Sequence, residues 1–147
     1  MAEYPLKVIC DTSVYIPFIN EGIIHPAFSD ESVRPALYMS AVVLSELYAG
    51  AHDNQTIKLL DKLHQTFLNV DRLIVPDSVN WRKAGSIIAG LQRKYGFESK
   101  YLAKLQNDIL IACSARKIRA FVASRNKKDL LRIKEFIAFR IYHICPK

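Results

Sequence analysis

Lys7-Val8-Ile9-Cys10-Asp11-Thr12-Ser13 is an apolar run that stops on a carboxylate. Val8, Ile9 and Cys10 suit a strand buried on both faces, as in a parallel sheet covered by helices. Asp11 then sits where that strand ends. In open parallel sheets, ligands bind beyond the carboxyl ends of the strands. Asp11 is therefore a candidate for chemistry, and the question is whether other acidic residues reach the same edge.

Outward from this strand, the chain alternates. A helix begins at Ser13, with Thr12 or Ser13 as its cap, and Pro17 should kink or shorten it. Residues 21–36 hold Gly22, Pro26 and Pro35 and read as a loop with at most a short helix. Residues 37–40 read as a second strand. A helix over 41–50 follows, with Val42, Val43, Leu44, Leu47 and Tyr48 at helical spacing and Ser40 as its N-cap. Residues 54–70 repeat apolar side chains every three to four positions, and 73–75 form a short strand closed by Pro76. Asp77 or Ser78 caps a helix that runs to Gly96, a good helix stop. Residues 97–105 read as a connector and 106–115 as a helix. Residues 120–124 read as a buried strand, 127–133 as a short helix and 138–142 as a last strand. This order predicts an α/β fold, a central parallel sheet of about five strands flanked by helices on both faces. No linker or repeat interrupts it, so residues 1–147 read as a single domain.

Composition excludes some classes. The chain has 147 residues, half of them hydrophobic and 24% charged, and no apolar run reaches the roughly 18 residues that span a bilayer. Met1-Ala2-Glu3-Tyr4-Pro5 lacks the basic region and apolar core of a signal peptide, so the expected location is the cytoplasm, with no membrane partner. Cys10, Cys113 and Cys145 are odd in number, unpaired by any CxxC spacing, and set in apolar contexts. They read as buried, reduced thiols. The net charge is +7, unevenly placed: residues 100–147 carry 12 Lys/Arg against 3 Asp/Glu, and residues 1–99 carry 9 against 11. A basic C-terminal third points either to an anionic partner, nucleic acid before membrane, or to a solvated basic face.

Two further carboxylates stand in apolar settings. Glu46 lies inside the helix 41–50, where its alternative reading is a boundary residue whose tip reaches water. Asp108 opens the apolar helix that continues through Ile109, Leu110, Ala112 and Cys113, where the alternative is an ordinary first-turn acid, favoured by about 0.3–1 kcal/mol. In a doubly wound sheet Asp11, Glu46, Asp108 and the segment 124–126 can meet at one edge. Two unit charges 4 Å apart repel by about 4 kcal/mol at an effective dielectric near 20. Converging carboxylates therefore protonate, splay apart or hold a cation. Oxygen donors without His or Cys suit Mg²⁺ or Mn²⁺.

At these residues the chain resembles the PIN-domain family, most closely the VapC-type toxin ribonucleases of type II toxin–antitoxin pairs. The resemblance rests on four segments in register over nearly the whole chain. They are Val8-Ile9-Cys10-Asp11-Thr12-Ser13, Ser45-Glu46-Leu47-Tyr48-Ala49-Gly50, Asn107-Asp108-Ile109-Leu110-Ile111-Ala112, and the run from Val122 through Ser124-Arg125-Asn126 to Asp129-Leu130. It implies a Mg²⁺- or Mn²⁺-dependent endoribonuclease acting on structured RNA such as transfer or ribosomal RNA, with products bearing 5′-phosphate and 3′-hydroxyl ends. Catalysis and metal ligation carry over to Asp11, Glu46 and Asp108. The family's fourth acidic position falls on Asn126 or Asp129. Asn126 can ligate but cannot act as a base, and Asp129 either adds charge through water or caps the helix that follows. Ser13 and Ser124 are supporting hydroxyls. Arg116, Lys117, Arg119, Arg125, Lys127 and Lys128 flank the site in sequence and are candidates for RNA phosphates. Tyr15 and Tyr48 can stack on a base or pack in the core. The resemblance also implies a small cognate antitoxin and a homodimer.

Other readings differ at named positions. A phosphoacceptor domain of the dehalogenase type needs an Asp where Ser13 stands, and one of the receiver type needs an acidic pair for which Glu3 is too isolated. A PIN domain that only binds RNA or a partner leaves Glu46 and Asp108 without use. Against a PIN nuclease of RNA processing or repair, working without an antitoxin, the small single-domain size favours the toxin reading.

Overall fold

The computed structural model describes residues 6–29 and 34–144, apart from the side chains of Ala27 and Ser29. Five parallel strands, β1 (Lys7–Cys10), β2 (Ala36–Ser40), β3 (Leu73–Ile74), β4 (Phe121–Ser124) and β5 (Arg140–His143), lie in the order β3-β2-β1-β4-β5. The helices are α1 (Thr12–Glu21), α2 (Pro26–Ser29), α3 (Ala41–Ala49), α4 (Asn54–Asn69), α5 (Ser78–Tyr95), α6 (Ser99–Ile118) and α7 (Lys128–Ile133). They flank the sheet as the alternation of the sequence predicts. The central strands β1 and β4 are buried almost throughout, which is why Val8-Ile9-Cys10 and Phe121-Val122-Ala123 read as continuous apolar runs. Cys10 and Cys113 are buried free thiols; Cys145 lies outside the described residues. No helix among the described residues is long and apolar enough to cross a membrane.

Most caps follow local chemistry. Ser40 caps α3 through Val42 N–H, and Asp77 caps α5 in a reciprocal pair with Asn80. Gly22 and Gly96 end α1 and α5 at φ 69° and 65°, in the left-handed region where a Cβ is costly. Two expectations need correcting at α1. Its cap is Asp11, whose carboxylate accepts from Ser13 N–H, rather than Thr12 or Ser13. Pro17 does not shorten the helix, which continues past it to Glu21.

The larger correction concerns α6. Residues 97–105 are not a connector, since the helix begins at Ser99 and runs 20 residues. Tyr101, Leu102 and Leu105 continue the apolar face of Ile109 and Ala112 one and two turns earlier. Only three residues, 96–98, separate α5 from α6. Asp108 is therefore a mid-helix residue. The favourable helix-terminus dipole that would explain an ordinary first-turn acid does not act there.

Candidate active site

Strand order puts the switch of direction between β1 and β4, so the crevice beyond their carboxyl ends is where a parallel sheet binds ligands. Asp11 leaves β1 at that edge and Ser124 closes β4 beside it. Asp11 N–H donates to Ala123 C=O at 3.0 Å, which locks the two ends together. Ser13 ties the knot: its hydroxyl donates to Asp11 Oδ1 at 2.5 Å and accepts from Arg125 N–H at 2.9 Å. Ser124 Oγ stands 3.4 Å from Ser13 Oγ and accepts from Asn126 N–H at 3.0 Å. The two serines thus hold both Asp11 and the turn after β4.

Glu46 comes from the second turn of α3, half-buried, and Asp108 from the middle of α6. Their fields overlap. Burial holds Asp11 above the usual carboxylate range, while hydrogen bonds from Ser124 and Ser13 pull it back. Burial also raises Glu46, against a hydrogen bond from Asn107 and with a further push from Asp11. Asp108 is shifted most, to about 7, first by burial and then by the charges of Asp11, Glu46 and Asp129. The three carboxylates predicted from sequence are thus brought within one another's field.

Among the described residues, no three His, Cys, Asp or Glu side chains stand close enough to hold one ion. The carboxylates share a field but do not form a closed cage. The donor set still fits a hard divalent cation. It is all oxygen and partly buried, and burial followed by repulsion from the neighbouring acids raises Asp108 despite the opposing charge of Lys104.

The fourth acidic position resolves into two different environments. Asn126 is exposed, and its Oδ1 accepts from Lys128 N–H at 3.4 Å. Asp129 is buried in the first turn of α7, where it is not the cap; Lys127 holds that position. Tyr101 Oη donates to Asp129 Oδ1, and Arg132 lies 3.9 Å from the same oxygen. Asp129 thus acts on Asp108 through charge while Tyr101 and Arg132 hold it in place.

Tyr101 and Asn107 were not singled out from the sequence. Tyr101 lies seven residues before Asp108, two turns along one helix face, a relation visible only once 99–118 is read as a single helix. Asn107 was visible as the neighbour of Asp108 but carried no sign of its bond to Glu46.

The flanking cations separate in space. Arg125, Lys127 and Lys128 follow β4 at the carboxyl edge. Arg116, Lys117 and Arg119 end α6 just before β4 begins, at the amino edge of the sheet. Eight residues of helix from Asp108 to Arg116 are about 12 Å, so nearness in sequence is not nearness to the site. Lys117 is also paired with Asp77. Tyr15 is buried in the core, and Tyr48 is half-buried with its hydroxyl donating to Asp61 at 2.5 Å. Beside Glu46, a groove of about 480 Å³ opens between α1 and the start of α4, lined by Thr12, Ile16, Asn20, His52 and Asp53.

Comparison with known proteins agrees with this architecture. Solved structures with the same fold include DNA-bound VapBC from Salmonella typhimurium (23% identity, TM-score 0.66, 95% of this chain and 99% of that one). FitAcB from Neisseria gonorrhoeae gives 19% identity and TM-score 0.63 over 92% and 96% of the two chains. VapBC-5 from Mycobacterium tuberculosis, of the VapBC family of toxin–antitoxin systems, gives 20% and 0.58 over 95% and 100%. No protein with a curated description matches the chain. The PIN domain family model matches residues 8–135, from the first buried strand to just past α7. With the parallel five-stranded sheet and acidic residues gathered at its carboxyl edge, this match shows that the chain belongs to the PIN domain family.

Proposed function

We propose that the chain is a Mg²⁺- or Mn²⁺-dependent endoribonuclease, the toxin of a toxin–antitoxin pair, hydrolysing phosphodiester bonds in structured RNA. The observation that carries this reading is the burial and electrostatic crowding of acids at the carboxyl edge. Asp11, Glu46 and Asp108 arrive from three separate elements, and the last is forced to about 7. A fold that keeps three mutually repelling acids at its ligand edge pays for them unless a cation binds there.

Asp11, Glu46 and Asp108 would hold the ion, with Asp129 adding charge from behind Asp108. When bound, a divalent cation there activates the attacking water and neutralises charge on the leaving oxygen. The chain's own residues supply orientation. Ser13 and Ser124 fix the Asp11 carboxylate, and Asn107 fixes Glu46. Tyr101 and Arg132 keep Asp129 in place. Arg125, Lys127 and Lys128 stand where RNA phosphates would approach. The structural likeness to VapBC complexes favours a small antitoxin partner and a toxin role over RNA processing without an antitoxin.

The test compares wild type with Asp108→Asn on total RNA, in Mg²⁺ and in EDTA. Cleavage by the wild type in Mg²⁺ alone is expected. Equal cleavage by both proteins, or cleavage that survives EDTA, contradicts the reading.

A further inference from the structure

The carboxyl edge of the sheet is acidic, and its amino edge, about 13 Å away across four-residue strands, is basic. Arg72 and Lys7 flank the Tyr38 ring, at 5.6 and 5.8 Å from its centroid. Lys7 Nζ donates to Ile118 C=O at 3.4 Å. Arg140 donates to Arg119 C=O at 3.0 Å, with its guanidinium 4.2 Å from the centroid of Phe121. Arg116 lies in the last turn of α6. These exposed residues run from Arg72, which leads into β3, across β2 and β1 to β4 and β5, and at about 4.8 Å per strand they span roughly 19 Å.

The helix end explains part of it. Cations favour the carbonyl end of a helix, and Lys7 and Arg140 each answer one carbonyl at the close of α6. Arg72, Arg116 and Arg119 form no ion pair with an acidic side chain among the described residues. Arg119 is further held at φ 59°, where a Cβ costs about 1–2 kcal/mol and glycine would avoid the cost. Cations spread along a line, steadied by rings and backbone, match a polyanion with repeated charges better than one small anion.

We propose that the amino edge of the sheet binds the phosphate backbone of a folded RNA, at a distance from the cleavage edge. The choice of RNA over DNA rests on the ribonuclease reading; the binding surface itself does not.

The experiment measures binding of a labelled RNA hairpin, and of a DNA duplex of the same sequence, across a salt series in EDTA. Wild type is compared with Arg72→Gln/Arg119→Gly and with Arg72→Lys/Arg119→Lys. Each lost phosphate contact weakens hairpin binding about tenfold near 0.1 M salt and lowers the log–log salt slope by about 1. The neutral double variant should therefore bind about 100-fold more weakly with a slope lower by about 2. The lysine pair should bind like the wild type, and thermal midpoints should stay at or above the wild-type value.

Unchanged hairpin affinity and slope in the neutral variant overturns the proposal. So does an equal loss in the lysine pair, or a loss confined to the DNA duplex. Cleavage of a short single-stranded RNA in Mg²⁺, measured alongside, should be the same in all three proteins. If the wild type leaves total RNA uncut in Mg²⁺, the ribonuclease reading fails while the EDTA comparison still reports on the amino edge.

Discussion

Asp108 takes up a proton on folding that the unfolded chain releases. Its acid lies at about 7 in the fold against 3.8 ordinarily. Between those values the folded state binds more protons, so stability falls as pH rises through that window. At 1.36 kcal/mol per unit the full span is on the order of 4 kcal/mol. In EDTA, Asp108→Asn should therefore be more stable than wild type at pH 8, by about 2–4 kcal/mol in urea unfolding, and no more stable at pH 4. A variant less stable at both pH values would show that the charge of Asp108 is not under strain. Ser13 offers a second test. Ser13→Ala removes the donor to Asp11 and the acceptor of Arg125 N–H. It should cost about 1–3 kcal/mol of stability by the same measurement, and a neutral result would mean that the two serines do not hold the edge. Asp11, Glu46 and Asp108 were legible because each interrupts an apolar run. The difference between Asn126 and Asp129 was not, because it depends on Tyr101 and Arg132, which approach Asp129 from a different helix and a different turn.

At the level of elements, the strands and the caps of α3 and α5 were readable, and the cap of α1 and the start of α6 were not. Ser40 and Asp77 announce their helices by side-chain chemistry, whereas Glu98 stands before α6 without any side-chain cap bond. Gly96, Lys100 and Lys104 then make the first turns look like a polar connector. The same misreading turned Asp108 into a first-turn acid. The contact between α5 and the turn after α7 carries its own prediction. A Cβ on Gly90 would lie 2.5 Å from Cε1 of Phe136. Gly90→Ala should therefore destabilise by about 1–3 kcal/mol despite the better helix propensity of alanine. Gly90→Ala/Phe136→Leu should recover part of that loss. A gain of stability in the single variant would mean that the contact relaxes freely.

Over the whole molecule, the order β3-β2-β1-β4-β5 sorts the charges that the sequence interleaves. Strand–helix alternation made the parallel sheet legible, but sequence carries no direct record of which strand lies beside which. Arg116, Lys117 and Arg119 therefore seemed to flank a site from which half of α6 separates them. If Asp11, Glu46 and Asp108 form a divalent-metal centre, its metal-free state is strained by burial and then by repulsion. Titration calorimetry of Mn²⁺ near pH 7, in two buffers of different ionisation enthalpy, tests it most directly. The wild type should bind the ion and release up to about one proton, because a cation displaces the proton held by Asp108. Asp108→Asn should bind at least about tenfold more weakly and release none. Absence of binding to the wild type, or equal affinity in both proteins without proton release, would contradict the claim.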